Sequence, residues 1–274
     1  MRLGIDIGGT KIEGALVTDK GLIIKKLRYK TESNKGRRKI LKNLLYVIKS
    51  LDSDKVKKIG LSIAGIITKG KLVFSPNLKS LEGLNMSLLL EKKLAKKVLQ
   101  ENDANCFAVA EHMFGATKGY KNAVGLIIGT GIGGGIIKND VLFKGKKGEA
   151  GEFGHTVFIN SERFENLCSG PAIVKRYKSK GGKITNPNPK KIFSSKETIA
   201  KEIVKETHVY LAKGLSEIMK LHKPEIIVLG GGLSNLSIYR RLIVEVKKHT
   251  QMNFRIVKNK LGDSSGVIGA AMLR

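Results

Sequence analysis

Residues 3–17 read Leu-Gly-Ile-Asp-Ile-Gly-Gly-Thr-Lys-Ile-Glu-Gly-Ala-Leu-Val, and residues 123–137 read Ala-Val-Gly-Leu-Ile-Ile-Gly-Thr-Gly-Ile-Gly-Gly-Gly-Ile-Ile. Each stretch is an apolar strand, a glycine turn and a returning apolar strand, so one antiparallel unit occurs twice in the chain. Working outward from the first, residues 22–28 add a third strand across the turn signal Asp19-Lys20-Gly21. Residues 39–51 then place Ile40, Leu41, Leu44, Leu45, Ile48 and Leu51 on one helical face. A strand over 58–64, a helix over 86–95, a short strand over 97–100 and a small-residue helix over 104–113 follow.

Working outward from the second, strand 123–128 leads into a glycine turn over 129–135, and Ile136 opens the returning strand. Ser169 with Pro171 marks a helix start. Ser194 and Glu197 form a capping box for a long helix reaching about residue 221. A strand over 225–229, a helix over 238–248, a strand over 254–257 and a helix over 266–273 complete the chain. The expected fold class is α/β: two similar lobes with mixed sheets and a cleft between them.

Composition bounds the function. The 274 residues carry 51 Lys plus Arg against 23 Asp plus Glu, a net charge of +28, and 41% of them are hydrophobic. That hydrophobic content belongs to a globular chain rather than a disordered basic tail. Basic residues are dense over 25–42, 92–97, 175–201 and 247–260, so they are spread along most of the chain. Only ten are Arg, aromatics are 5% and Trp is absent, which leaves base stacking and Arg-to-base contacts poorly supplied. The charge therefore reads as solvated lysine rather than a specific nucleic-acid site. No apolar run approaches the roughly 18 residues of a membrane span. No secretory leader is visible at the N-terminus, so the expectation is a cytoplasmic protein without a membrane partner.

Three glycine clusters each follow an apolar strand: Asp6-Ile-Gly-Gly-Thr-Lys11, Gly129-Thr-Gly-Ile-Gly-Gly-Gly135 and Gly230-Gly-Gly-Leu-Ser234. Glycine lets backbone N–H groups converge on phosphate oxygens. No Gly-x4-Gly-Lys-Ser/Thr string is present. The Gly129 cluster leads into Ile136-Ile137, a strand, where a dinucleotide fingerprint needs a helix.

With Glu101-Asn-Asp-Ala-Asn105 and Glu152-Phe-Gly-His155, the first two clusters form an ordered set that resembles the ROK (repressor, open reading frame, kinase) family of sugar kinases, in the actin-like ATPase superfamily. Secondary matches are Ser75-Pro-Asn-Leu78, Ser169-Gly-Pro-Ala-Ile173, Val228-Leu-Gly-Gly-Gly232 and Gly266-Val-Ile-Gly-Ala270. The resemblance implies two actin-like (ribonuclease-H-like) lobes: residues 1–107 plus 258–274 as the smaller and 108–257 as the larger. It implies transfer of the ATP γ-phosphoryl to the 6-hydroxyl of a hexose, which needs positioned phosphates, a metal and a base. Asp103 is the implied base, at a strand-to-helix junction. Asp6 is implied to hold Mg²⁺ through water. Gly8, Gly9, Thr10 and Lys11 on one lobe, with Gly129, Thr130 and Gly131 on the other, would cradle the phosphates, and Gly230, Gly231 and Gly232 would lie near the adenosine. Asn77, Asn102, Asp103, Glu152, His155 and Glu165 are the implied sugar contacts.

Many family members bind a structural zinc through that His and three thiolates. Here the nine residues between His155 and Glu165 include no Cys, so no zinc site is expected. Cys106 and Cys168 read as separate buried thiols, with a stabilising bridge between them left open. The sugar-sensing repressor branch carries a helix-turn-helix domain ahead of the core, and strand one beginning at Leu3 leaves no room for it, so catalysis is the expectation. ATP or polyphosphate as donor, the particular hexose and a homodimer stay open.

Overall fold

The computed structural model describes residues 1–146 and 148–274. The first unit folds as strands β1 (Arg2–Ile7), β2 (Lys11–Val17) and β3 (Ile23–Lys30), followed by helix α1 (Gly36–Leu51) and β4 (Lys58–Ile63). A hairpin of β5 (Ile66–Thr68) and β6 (Lys71–Phe74) stands outside the main sheet. Helix α2 (Met86–Leu94), β7 (Lys97–Asn102) and α3 (Asp103–Phe114) complete this half. The second unit repeats the opening with β8 (Ala123–Ile128), β9 (Ile132–Lys138) and β10 (Val141–Phe143). Short elements follow: α4 (Phe153–Thr156), β11 (Phe158–Ile159), β12 (Glu162–Arg163), α5 (Phe164–Cys168), α6 (Gly170–Ser179) and α7 (Pro189–Ser194). The long α8 (Thr198–His222), then β13 (Ile226–Gly230), α9 (Tyr239–Val246), β14 (Ile256–Lys258) and α10 (Ser265–Ala271) end the chain.

The two five-stranded sheets share one topology. In the first, of order β3-β2-β1-β4-β7, β1, β2 and β3 are antiparallel while β4 and β7 add parallel to β1. In the second, of order β10-β9-β8-β13-β14, the same pattern recurs. Each sheet has its own core. Ile40, Leu44, Val47, Ile48 and Leu51 of α1 are buried against the first sheet. Each such side chain contributes about 1.5–3 kcal/mol of burial. Leu211 and Leu215 of α8 join Phe164, Ile173 and Tyr177 under the second.

Between the sheets lie α10 and α3, and glycine sets how close they come. A side chain at Gly4 or Gly60 would overlap the backbone of Val267 or Ala270, so α10 rests directly on β1 and β4. A Cβ at Gly269 would overlap the Cys106 carbonyl, which brings α10 onto α3. On the other side a Cβ at Gly135 would sit 2.6 Å from the Ala108 Cβ, so α3 lies flat on β9. The order is sheet, α10, α3, sheet. The expected lobe boundary at 107/108 falls inside α3, which runs unbroken through that interlobe layer.

Two local readings change. The glycine turn is short, because β9 already begins at Ile132 and Gly133, Gly134 and Gly135 pair with Ile127, Leu126 and Gly125. Those glycines serve helix packing and an approach of the Phe153 ring to Gly134, and they form no loop. The Ser194–Glu197 capping box does not form. Asn188 and Pro189 open α7 instead, with Asn188 accepting from the Lys191 N–H at 2.9 Å, and this places Ser194 at the end of α7. Glu197 precedes α8 but accepts from the Tyr177 hydroxyl and from the Lys183 N–H at 3.1 Å. Cys106 and Cys168 are both buried and free.

Candidate active site

Parallel strands β1, β4 and β7 end side by side at Ile7, Ile63 and Asn102, and the chain leaves β7 directly into α3. Asn102 caps that helix. Its side-chain oxygen accepts from the N–H groups of Ala104 at 2.8 Å and Asn105 at 3.2 Å, and its amide donates to the Gly65 carbonyl at 2.8 Å. Both ends of Asn102 are thus occupied by the protein, and capping does not fall to Asp103. The Asp103 carboxylate accepts from the Ala104 N–H at 3.0 Å and otherwise faces the cleft.

Two cavities meet at Asp103. The first, of about 420 Å³, is lined by Asp6, Gly8, Gly231, Ser234, Asn235, Asn259, Lys260 and Gly266. The second, of about 510 Å³, is lined by Asn77, Asn102, Gly129, Thr130, Gly131, Glu152, His155 and Glu165, with Ile66 and Phe74 from the hairpin. Asp103, Ala64 and Ile127 belong to both walls. A carboxylate at the neck between a glycine-walled and an amide- and carboxylate-walled chamber can take a proton from a group in one while that group attacks a ligand in the other.

The electrostatics suit that position. Burial and the nearby Asp6 and Glu152 charges push the Asp103 carboxyl up to about 7, against the backbone N–H groups at the helix start, which act the other way. Asp6 is itself raised, first by burial, although Ser62 donates to its Oδ1 at 2.6 Å. Glu152 is raised by burial and by Glu165, with His155 opposing.

Residues 2–274 match the ROK family from end to end. The chain belongs to the ROK family. An N-acetyl-D-glucosamine kinase of Photobacterium profundum is 32% identical over 300 residues, covering all of this chain and 99% of its own. A glucokinase of Thermotoga maritima is 28% identical over 304 residues, covering 99% and 96%. The ROK hexokinase of Thermus thermophilus has the same fold, with a TM-score of 0.87 at 25% identity over 99% of this chain and 96% of that one.

Within this ROK-family protein the expected site residues divide between the cavities. Asp6, Gly8 and Gly231 line the first, and Gly231 needs its positive φ of 79° to turn beneath the Ile128 carbonyl. Gly129, Thr130 and Gly131, expected at phosphates, stand in the second wall beside Asn77, Glu152, His155 and Glu165. Gly9 presses on Asn77, whose Cβ would lie 2.7 Å from any Cβ placed there. Thr10 and Lys11 reach neither cavity. The Gly8 N–H closes the turn on the Lys11 carbonyl, and Lys11 then shares a face of β2 with Glu13, 3.8 Å away. Gly230 faces the Phe107 ring, while Gly232 has open space around it. In the second wall Glu165 accepts from the Ile132 N–H at 2.7 Å.

Sequence reasoning did not single out Asn235, Lys258, Asn259, Lys260 and Asp263, which also line the first cavity, or Ser62, which bonds to Asp6. The polar stretch between β14 and the small-residue α10 was the available signal, and single lysines carried none among 41.

Asp6, its carboxyl raised by burial and by Glu13 with Ser62 and the Lys11 charge opposing, is a buried acidic group close enough to Asp103 to raise that group too. Mg²⁺ takes one or two carboxylates and fills its shell with water and phosphate oxygens, so this donor set fits it. Among the described residues no group of three or more His, Cys, Asp or Glu side chains is gathered around one point. No helix among them is long and apolar enough to cross a membrane.

Proposed function

We propose that this chain is an ATP- and Mg²⁺-dependent hexose kinase of glucokinase type, acting in the cytoplasm and transferring the γ-phosphoryl group to the sugar 6-hydroxyl. The observation that carries the reading is Asp103 at the junction of the two cavities. Residues 1–107 plus 258–274 and residues 108–257 would form the two lobes that close on the substrates.

In this reading Asn77, Glu152, His155 and Glu165 hold the hexose hydroxyls, with Asn102 fixing the turn beneath them. Asp103 accepts the 6-hydroxyl proton as the sugar oxygen bonds to the γ-phosphorus and the bond to the ADP oxygen breaks. Backbone N–H groups at Gly9 and Gly231 hold the nucleotide beside the Gly8 turn, whose own N–H is taken by the Lys11 carbonyl, whereas Thr130 and Gly131 meet the transferred group from the sugar side. Asp6 would hold Mg²⁺ through water, and Mg²⁺, when bound, neutralises phosphate charge. Closure of the lobes excludes water from the neck.

N-acetylhexosamine is the second reading. Ile66 and the half-exposed Phe74 give the sugar cavity an apolar edge suited to an acetamido methyl. A coupled ADP-release assay over glucose, mannose, fructose and N-acetylglucosamine, with ATP or polyphosphate as donor, tests both. Turnover with glucose and ATP is expected. Absence of turnover with every hexose would end the proposal.

A further inference from the structure

Glu111 is a fully buried carboxylate that the transfer chemistry above leaves unused. It lies in the last turn of α3, where the exposed carbonyls make negative charge unfavourable. Tertiary contacts keep it there. Its Oε2 accepts from the N–H groups of Ala116 at 2.8 Å and Lys260 at 3.0 Å. Its Oε1 accepts from the Leu261 N–H at 2.9 Å and the Ser265 hydroxyl at 3.2 Å. Three backbone N–H groups thus donate to one carboxylate, and the Ser265 hydroxyl is shared between it and the Gly262 carbonyl at 3.0 Å. Gly115 leaves the room for this, since a Cβ there would overlap Oε2.

The Lys260 and Leu261 N–H groups and the shared Ser265 hydroxyl belong to the segment 260–265, which walls the first cavity through Lys260, Gly262, Asp263 and Ser265. The same helix begins at Asp103. We infer that Glu111 is a positioning residue for the nucleotide: it pins the 260–265 wall to the helix that carries the base. The inference rests on reading the first cavity as the nucleotide site. Eight residues separate Asp103 from Glu111, about 12 Å along the helix axis. Helix α3 therefore acts as a ruler between the acceptor oxygen and the nucleotide wall. An amide cannot replace the carboxylate, because its NH₂ would point at N–H donors.

The test is Glu111→Gln, compared with wild type by calorimetric titration with ADP and separately with glucose, and by amide exchange. In the wild type without ligand, the Lys260 and Leu261 amides are protected from exchange. In the variant they exchange faster, ADP affinity falls about tenfold, the scale of one hydrogen bond to a charged group, and glucose affinity stays within about twofold. Rapid exchange of those two amides in the wild type overturns the inference, and so does equal loss of both ligands in the variant. A wild type that binds glucose but not ADP overturns the nucleotide reading of the cavity itself, and the inference with it. A wild type that binds ADP no better than Glu111→Gln removes only the role of Glu111.

Discussion

The position of Asp103 gives a pH dependence that an ordinary carboxylate would not. Its carboxyl is pushed up to about 7 by burial first and by Asp6 next. The raised value means the proton is held at mildly acidic pH and released as pH rises, so the base form dominates only above about 7. Such a group is about nine-tenths ionised at pH 8 and about one-tenth at pH 6. At limiting hexose and nucleotide, kcat/KM should therefore rise about tenfold from pH 6 to pH 8, with its midpoint near 7. An aspartate of ordinary pKa near 3.9 would leave it flat over that range. The assay is ADP release under buffers of constant ionic strength. A carbon-13 carboxyl titration of the metal-free, nucleotide-free protein reads the same midpoint directly. Asp103→Asn should remove the acid limb and lower kcat by about 10²–10⁴-fold, the range for a general base, while glucose binding survives in part. A flat profile between pH 6 and 8, or Asp103→Asn with wild-type turnover, would refute the assignment.

Gly60→Ala drives a methyl group into the Ala270 carbonyl; a loss of about 3 kcal/mol is expected from urea unfolding, the upper range for overpacking. Asn102→Ala removes the α3 cap and the tie to Gly65, so about 1–2 kcal/mol of stability should be lost. Its kcat should fall as well, whereas Asn102→Asp keeps the cap acceptor and should recover part of the stability. The net charge of +28 steers anions over a range set by the Debye length, about 30 Å at 0.01 M salt and about 8 Å at 0.15 M. Hence kcat/KM for ATP should fall severalfold across that change while kcat holds, and a salt-independent kcat/KM would show that the lysines do not steer.

Local chemistry was enough for most of the elements. Strand–glycine–strand repeats at 3–17 and 123–137, and the apolar face of α1, are periodicities that only one backbone arrangement buries. Ser194 and Glu197 satisfy the spacing of a capping box, yet Asn188-Pro189 starts α7 upstream and Tyr177 claims the Glu197 carboxylate. Composition could not distinguish glycines that bind from glycines that pack. Gly133, Gly134 and Gly135 look like a phosphate loop in one dimension, but they lie in β9 so that α3 and Phe153 can approach.

The sequence by itself determined the doubled α/β unit, the ROK membership and the candidates Asp6, Asp103, Glu152, His155 and Glu165, because those signals are local strings of fixed spacing. Tertiary structure alone decided how these residues divide between two cavities, and that Thr10 and Lys11 reach neither. It alone raised Asp103 toward neutrality, since desolvation and the nearness of Asp6 exist only once β1 and α3 are packed through α10. The joining of Glu111 to Lys260 and Leu261 spans about 150 residues, and only the folded chain brings such groups within hydrogen-bonding distance.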